Sequence, residues 1–163
     1  MYGMASVRSR IGENMDRYLY KAKRINNGEW VTGSLLTCED GTCKIATSLL
    51  EVKTNGPILV CAYDVDRDTI CQCIGLKDKN GKLIWKNDIV KDIFSDTCAP
   101  IKYGSYQNCF DSTKAEHIGF YVDWSDKYTK RYRKDLGYWI NMVNAKIIGN
   151  IFDNPELLES EEK

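Results

Sequence analysis

The sequence lacks a long hydrophobic run, an excess of charge of either sign, and more than one histidine. No apolar segment approaches the roughly 20 residues that a membrane-spanning helix requires, and residues 1–14 hold no apolar stretch of signal-peptide length. The 163 residues include 23 Lys and Arg against 23 Asp and Glu, so the formal net charge is zero. We therefore expect an intracellular protein without an overall excess of positive charge to attract nucleic acid. Its zero net charge also gives little electrostatic repulsion against self-association.

Motifs of catalysis and metal binding are also missing. No glycine-rich phosphate loop, nucleophile elbow or metalloprotease helix motif occurs. The seven cysteines lack the C-x-x-C spacing of a zinc knuckle, so we interpret them as free thiols, with Cys71 and Cys73 on one face of a strand as small hydrophobes. Asp64 and Asp66 lack the glycine and glutamate of a calcium loop. We expect no enzymatic activity, cofactor or metal; a thiol-based or metal-assisted activity is the alternative.

What the sequence has is a succession of short strands and tight turns. Strands are predicted where apolar and polar residues alternate or where β-branched and aromatic residues are frequent. Asn- and Gly-based turns separate these segments at 26–28, 39–41 and 78–81. No clean helical stripe exceeds about ten residues. A barrel or sandwich with little helix is predicted. The predicted strands are 18–23, 29–36, 42–47, 58–63, 69–74, 83–85, 89–94, 101–106, 117–124 and 145–152, with one helical turn at 155–158.

The domain organisation follows from the same pattern. Residues 1–16 show no periodicity and are expected to form a flexible leader. Residues 17–158 are predicted to form one β domain, and a division into two sub-domains at about 17–65 and 66–158 is the alternative. The acidic residues 159–163 are predicted to be a solvated tail.

Two long motifs stand out in the sequence: IGLKDKNGK at 74–82 with NDIV at 87–90, and IIGNIFDNPELL at 147–158. Together they resemble the YopX-like family of bacteriophage and prophage proteins. Further segments look like that family's opening hairpin, 18–24 with 28–31, and its late strands, 119–122 with 136–139. The family commonly has Gly-Asp before Ile-Val, where this chain has Asn87-Asp88; asparagine also tolerates the turn conformation. Gly149, inside the second motif, predicts a bulge or bend in a strand.

The resemblance implies a small SH3-like β-barrel with additional N-terminal β-hairpins. It also implies a phage or prophage protein that acts in the cytoplasm of a bacterial host, forms homo-oligomers and has no known enzymatic activity. We therefore expect an accessory protein of unknown biochemical activity that acts by binding, with a host or phage protein as a further partner. Four tryptophans and ten tyrosines would supply the core, a peptide groove or a subunit interface.

The segment 127–134 is the alternative binding site. Five of its eight residues are cationic and two tyrosines interleave with them, a pattern in which cations contact phosphates and aromatic rings stack on bases. The competing interpretation is a solvated loop neutralised by Asp123, Asp126 and Asp135, which the neutral chain favours. The candidate nucleic-acid-binding residues are Lys127, Lys130, Arg131, Arg133 and Lys134.

Overall fold

The computed structural model describes residues 16–50, 59–94, 96–108, 111–124 and 133–159. The chain divides into two compact units, Met1–Gly75 and Leu76–Lys163. The described residues are mostly β-strand, which confirms the predicted class. The strands are β1 Tyr20–Lys23, β2 Trp30–Thr37, β3 Cys43–Leu50, β4 Leu59–Asp64, β5 Cys71–Lys77, β6 Leu83–Trp85, β7 Asp88–Lys91, β8 Cys98–Tyr106, β9 His117–Val122 and β10 Lys146–Asn150.

The first unit is a sheet of antiparallel neighbours in the order β4-β3-β2-β1-β5. Its hairpins use the predicted turns, because Gly28 and Gly41 take φ of +72° and +82°, which other residues adopt only under strain. Ala22, Ile45 and Val65 are almost completely buried and form the centre of its core. A bridge between Arg24 and Val65 brings the end of β1 to the end of β4, although two strands separate them in the sheet.

The turn after β5 was also predicted correctly. The carboxylate of Asp78 accepts hydrogen bonds from the backbone N–H groups of Asn80 and Lys82, at 2.8 and 2.9 Å. Gly81 takes φ of +79°. An aspartate at the first position and a glycine at the last therefore close the turn that leads to β6.

The second unit has a sheet in the order β10-β7-β8-β9, again with antiparallel neighbours. Asn87 precedes β7 with φ of +71°, the conformation expected from its place in the motif. The register between β10 and β7 shifts between Ile147 and Gly149, which confirms the irregularity predicted at this glycine. Strand pairing among the described residues gives two antiparallel sheets and no closed barrel.

The prediction that 136–139 form a late strand is wrong. Residues 136–142 are helical there, with Tyr138–Met142 as the last turn, and Leu136, Trp139 and Ile140 are buried. Their spacing of three and four residues places them on one helical face toward the core. The aromatic residues favour a strand locally, but burial of this face decides the conformation.

Smaller differences concern the ends of elements. β7 ends at Lys91 rather than at 94, because Asp92 turns the chain and its carboxylate accepts the N–H of Phe94. β10 ends at Asn150 rather than at 152, because its side chain accepts the N–H groups of Phe152 and Asp153. The predicted helical turn is present as a 3₁₀ turn at Pro155–Leu158.

The predicted leader lies outside the described residues apart from Asp16, which begins the 3₁₀ turn Asp16–Tyr18. The predicted tail lies outside them apart from Glu159. Across the described ranges, no helix is long and apolar enough to cross a membrane.

Candidate functional site

The predicted basic site is described only at its C-terminal end. Lys127, Lys130 and Arg131 lie outside the described residues, whereas Arg133 and Lys134 lie within them. The carbonyl of Arg133 accepts hydrogen bonds from the indole N–H groups of Trp124 and Trp139, at 3.1 and 2.6 Å. Since a buried indole N–H requires an acceptor, the two tryptophans fix the chain at the end of the basic segment.

The side chains of these two cations face acidic partners. The guanidinium of Arg133 lies 3.1 Å from a carboxylate oxygen of Asp135, and the ammonium of Lys134 lies 4.0 Å from Asp123. Lys134 also lies 5.6 Å from the ring centre of Tyr121. The sequence predicts both acids as neutralising partners, and at this end of the segment the charge is balanced.

An aromatic row beside these cations was not predicted. The row consists of His117, Tyr106 and Tyr121, with Tyr106 stacked between the other two at ring-centre distances of 5.3 and 5.2 Å. Tyr106 and Tyr121 stand on the same face of the β8–β9 hairpin as the paired glycines Gly104 and Gly119. A Cβ at Gly104 would meet Tyr121 only at 3.9 Å and one at Gly119 would meet nothing within 4 Å, so the arrangement depends on the register of the two strands rather than on the glycines.

Charged groups at the end of the aromatic row form a network. Lys102, opposite Tyr121 in the hairpin, contacts Asp123 at 2.6 Å, and the hydrogen bond raises the pKa of the lysine. The hydroxyl of Tyr106 donates to Asp135 at 3.3 Å. Burial and the nearby carboxylate raise the pKa of Tyr106. The row therefore presents three stacked rings next to cations that are already paired.

The other face of the hairpin is buried at Ile101 and Val122 but carries partly or largely exposed apolar side chains closer to its turn. We call its residues Tyr103, Ile118 and Phe120 the apolar edge. Tyr103 and Phe120 are opposite each other in register and pack edge to face at 5.1 Å. Tyr103 is 58% exposed and Ile118 is 76% exposed. Strand β9 is the end strand of its sheet, so exposed apolar side chains coincide with a sheet edge.

The cysteines do not form a metal centre in the described ranges, where no group of three or more His, Cys, Asp or Glu is placed to hold an ion. The six cysteines that the structure describes are free thiols, as predicted. Cys71 and Cys73 are fully buried, which confirms that they pack as small hydrophobes on one face of a strand. The hydroxyl of Tyr63 lowers the pKa of Cys61, whereas burial raises that of Cys98.

The fold is that of a two-unit antiparallel β protein with an exposed sheet edge and an aromatic face. The family model described as YopX protein matches residues 19–159. The chain belongs to the YopX family, and the resemblance seen in its sequence motifs is confirmed. No curated protein matches the chain.

A solved structure shares this fold. The crystal structure of protein EF1440 from Enterococcus faecalis is similar with a TM-score of 0.58 and 22% sequence identity. The match covers 86% of this chain and 96% of that chain. At this level of identity the likeness concerns the fold.

Proposed function

We propose that this protein is a non-enzymatic binding module that self-associates through the apolar edge of the β8–β9 hairpin. The observation that supports the proposal is the exposure of Ile118 and Tyr103 on a hairpin whose outer strand ends the sheet. A strand edge offers unpaired backbone N–H and C=O groups to another strand. Burying two large side chains at the same contact would add about 1.5–3 kcal/mol for each of them.

The second half of β9 is partly covered by its own chain. Val122 donates its N–H to the carbonyl of Lys134, and Tyr121 forms a bridge with Asp135. In the described ranges, the first half, 117–120, pairs only with β8. A second copy would add its strand at this half. Residues 117–120 contain no carboxylate and no lysine, so like charges would not repel each other when two copies of the strand pair there.

Sedimentation velocity over a range of concentrations tests this proposal. The sedimentation coefficient of the native protein should rise with concentration. Ile118→Lys should hold it at the monomer value, because it places a charge at the proposed contact between copies. The variant should still fold, because the side chain of Ile118 is exposed. Met142→Lys is the control, since Met142 is 75% exposed in the same unit but far from β9 in sequence. A native protein that stays monomeric at the highest concentration would overturn the proposal.

The finer assignments rest on the family. Membership of the YopX family and the sequence motifs support a phage or prophage accessory protein in the cytoplasm of a bacterial host, with a host or phage protein as its further partner. For the second unit we also propose an SH3-like barrel. Its support is the order β10-β7-β8-β9, in which the last strand returns to pair with the first strand of that sheet.

Nucleic-acid binding is the second candidate, and the aromatic row favours it. Proteins that bind single-stranded nucleic acid often place aromatic rings on adjacent strands, where the bases stack, and cations beside them, where the phosphates bind. Lys134 lies at that end, beside Tyr121. Arg133 directly precedes it in the chain, and residues 127–132 before them hold three further cations.

Fluorescence anisotropy with a single-stranded oligonucleotide tests this second candidate. Binding should weaken as salt rises, with a slope set by the number of phosphates neutralised. Lys130→Glu with Arg131→Glu should abolish it. Lys79→Glu with Lys82→Glu is the control, because these two exposed lysines belong to the turn after β5. Absent or salt-independent binding would remove this candidate.

A further inference from the structure

The first unit contains a cleft that none of the preceding proposals uses. Its volume is about 920 Å³, within the range of sites for small organic ligands. The turns that follow β1 and β2 form one wall, and the end of β4 with the residues after it forms the other. The side chains that matter for its chemistry are Lys23, Arg24, Tyr63, Asp64, Asp66 and Arg67.

Arg24 is the central cation of this cleft. Its guanidinium carbon lies 4.1 Å from the ring centre of Tyr63, and its side chain is only 24% exposed. The Nε atom is buried without a hydrogen-bond partner among the described residues. Glu29 is the nearest carboxylate at 3.7 Å from Nη1, beyond the distance of a good hydrogen bond, and its side chain is 71% exposed.

A purely structural role explains only part of this geometry. A cation over an aromatic ring stabilises the contact between the ends of β1 and β4. It leaves the buried Nε–H without an acceptor, which costs free energy for a charged group. An oxygen supplied by a ligand would accept that hydrogen bond.

The acids of the cleft are engaged elsewhere. Asp64 accepts the ammonium of Lys44 at 2.5 Å, and Asp66 accepts the backbone N–H of Asp68 at 3.0 Å. The cations that line the cleft, Lys23, Arg24 and Arg67, outnumber these two acids. The cleft is therefore set up for an anion, with a planar guanidinium at its centre and an aromatic ring beside it.

We propose that the cleft of the first unit binds a small organic molecule through a carboxylate or phosphate group that Arg24 receives at its Nε and Nη atoms. The volume of the cleft exceeds that of a bare ion, so the rest of the molecule lies along the apolar stem of Arg24 and the neighbouring turns. This site uses residues of the first unit alone, so its failure would leave the proposal for β9 intact.

NMR of the Arg Nε–Hε groups in the full chain tests the proposal. Inorganic phosphate and acetate serve as separate probes at constant ionic strength. The cross-peak of Arg24 should shift to saturation with at least one probe, and the responding probe identifies the group. The cross-peak of Arg17, which lies outside the lining of the cleft, should not move.

Two variants of the cleft and one control variant sharpen the test. Arg24→Lys keeps the charge but loses the planar fork, and should weaken binding at least about tenfold as a charge-assisted hydrogen bond is lost; Arg17→Lys should leave affinity unchanged. Glu29→Gln removes the nearest competing carboxylate at an exposed position and should tighten binding several-fold. An Arg24 cross-peak that neither probe shifts, or equal shifts at Arg17, would overturn the proposal.

Discussion

Gly33 in β2 is the position where one added methyl group should disturb the first unit most. A Cβ atom there would lie 2.0 Å from the backbone oxygen of Ala46 and 2.8 Å from its carbonyl carbon. Ordinary contact begins at about 3.4 Å. The obstacle is the backbone of β3, which cannot rotate away as a side chain would, so Gly33→Ala must move one strand away from the other.

The size of the expected loss of stability follows from two destabilising effects and one stabilising effect. Overpacking of a filled site costs about 1–3 kcal/mol, and each ladder hydrogen bond that the displaced strand loses costs about 1 kcal/mol more. The lower entropy of the unfolded chain returns about 0.4–1 kcal/mol. We expect the free energy of unfolding to fall by about 2–4 kcal/mol, a large share of the total stability of a small domain.

Native-state hydrogen exchange is the suitable assay, because the two units need not unfold together. Protection of the amides in β1 to β3 should fall by roughly 30- to 1,000-fold. Gly119→Ala is the matched control, since a Cβ there meets nothing within 4 Å, and its stability should stay the same or rise slightly. Unchanged protection in Gly33→Ala, or an equal loss in Gly119→Ala, would refute this reasoning.

Two further predictions concern ionisable groups. The thiolate is the reactive form of cysteine. Tyr63 lowers the pKa of Cys61 and burial raises the pKa of Cys98, so Cys61 should react with iodoacetamide at lower pH than Cys98. Peptide mass spectrometry of samples labelled at a series of pH values would show this order, and the reverse order would contradict the prediction. Asp88 is only 4% exposed and accepts the N–H of Trp85 at 2.9 Å. Asp88→Ala should therefore lower the free energy of unfolding, measured with urea, by about 1–3 kcal/mol. Asp88→Asn should lower it less because it keeps an acceptor. Equal stability of Asp88→Ala and the native protein would count against that assignment.

Local rules predicted the parts of the fold that local chemistry determines. The turn at 78–81 follows from an aspartate that caps backbone N–H groups and a glycine that takes positive φ. The 3₁₀ turn at Pro155–Leu158 follows in the same way from a proline at its start. The sheet class follows from the repetition of such turns at short intervals.

The helical turn at Tyr138–Met142 escaped prediction because its cause is not local. Trp139 donates to the carbonyl of Arg133 and packs 4.7 Å from Trp124. These contacts join residues on either side of the basic segment, and they select a helical conformation for aromatic residues that favour strands on their own. The aromatic row depends in the same way on strand register, which the sequence of one strand does not specify.

The candidate cleft shows the same limit most clearly. Arg24 and Tyr63 are 39 positions apart, and β1 and β4 are not neighbours in the sheet. They meet because the sheet curls until Arg24 bridges Val65. Gly33 lets β2 and β3 approach closely within that curl. If Gly33→Ala separates these strands, it should also displace Arg24 from Tyr63, so the residue that we predict to control stability would also control the geometry of the anion site.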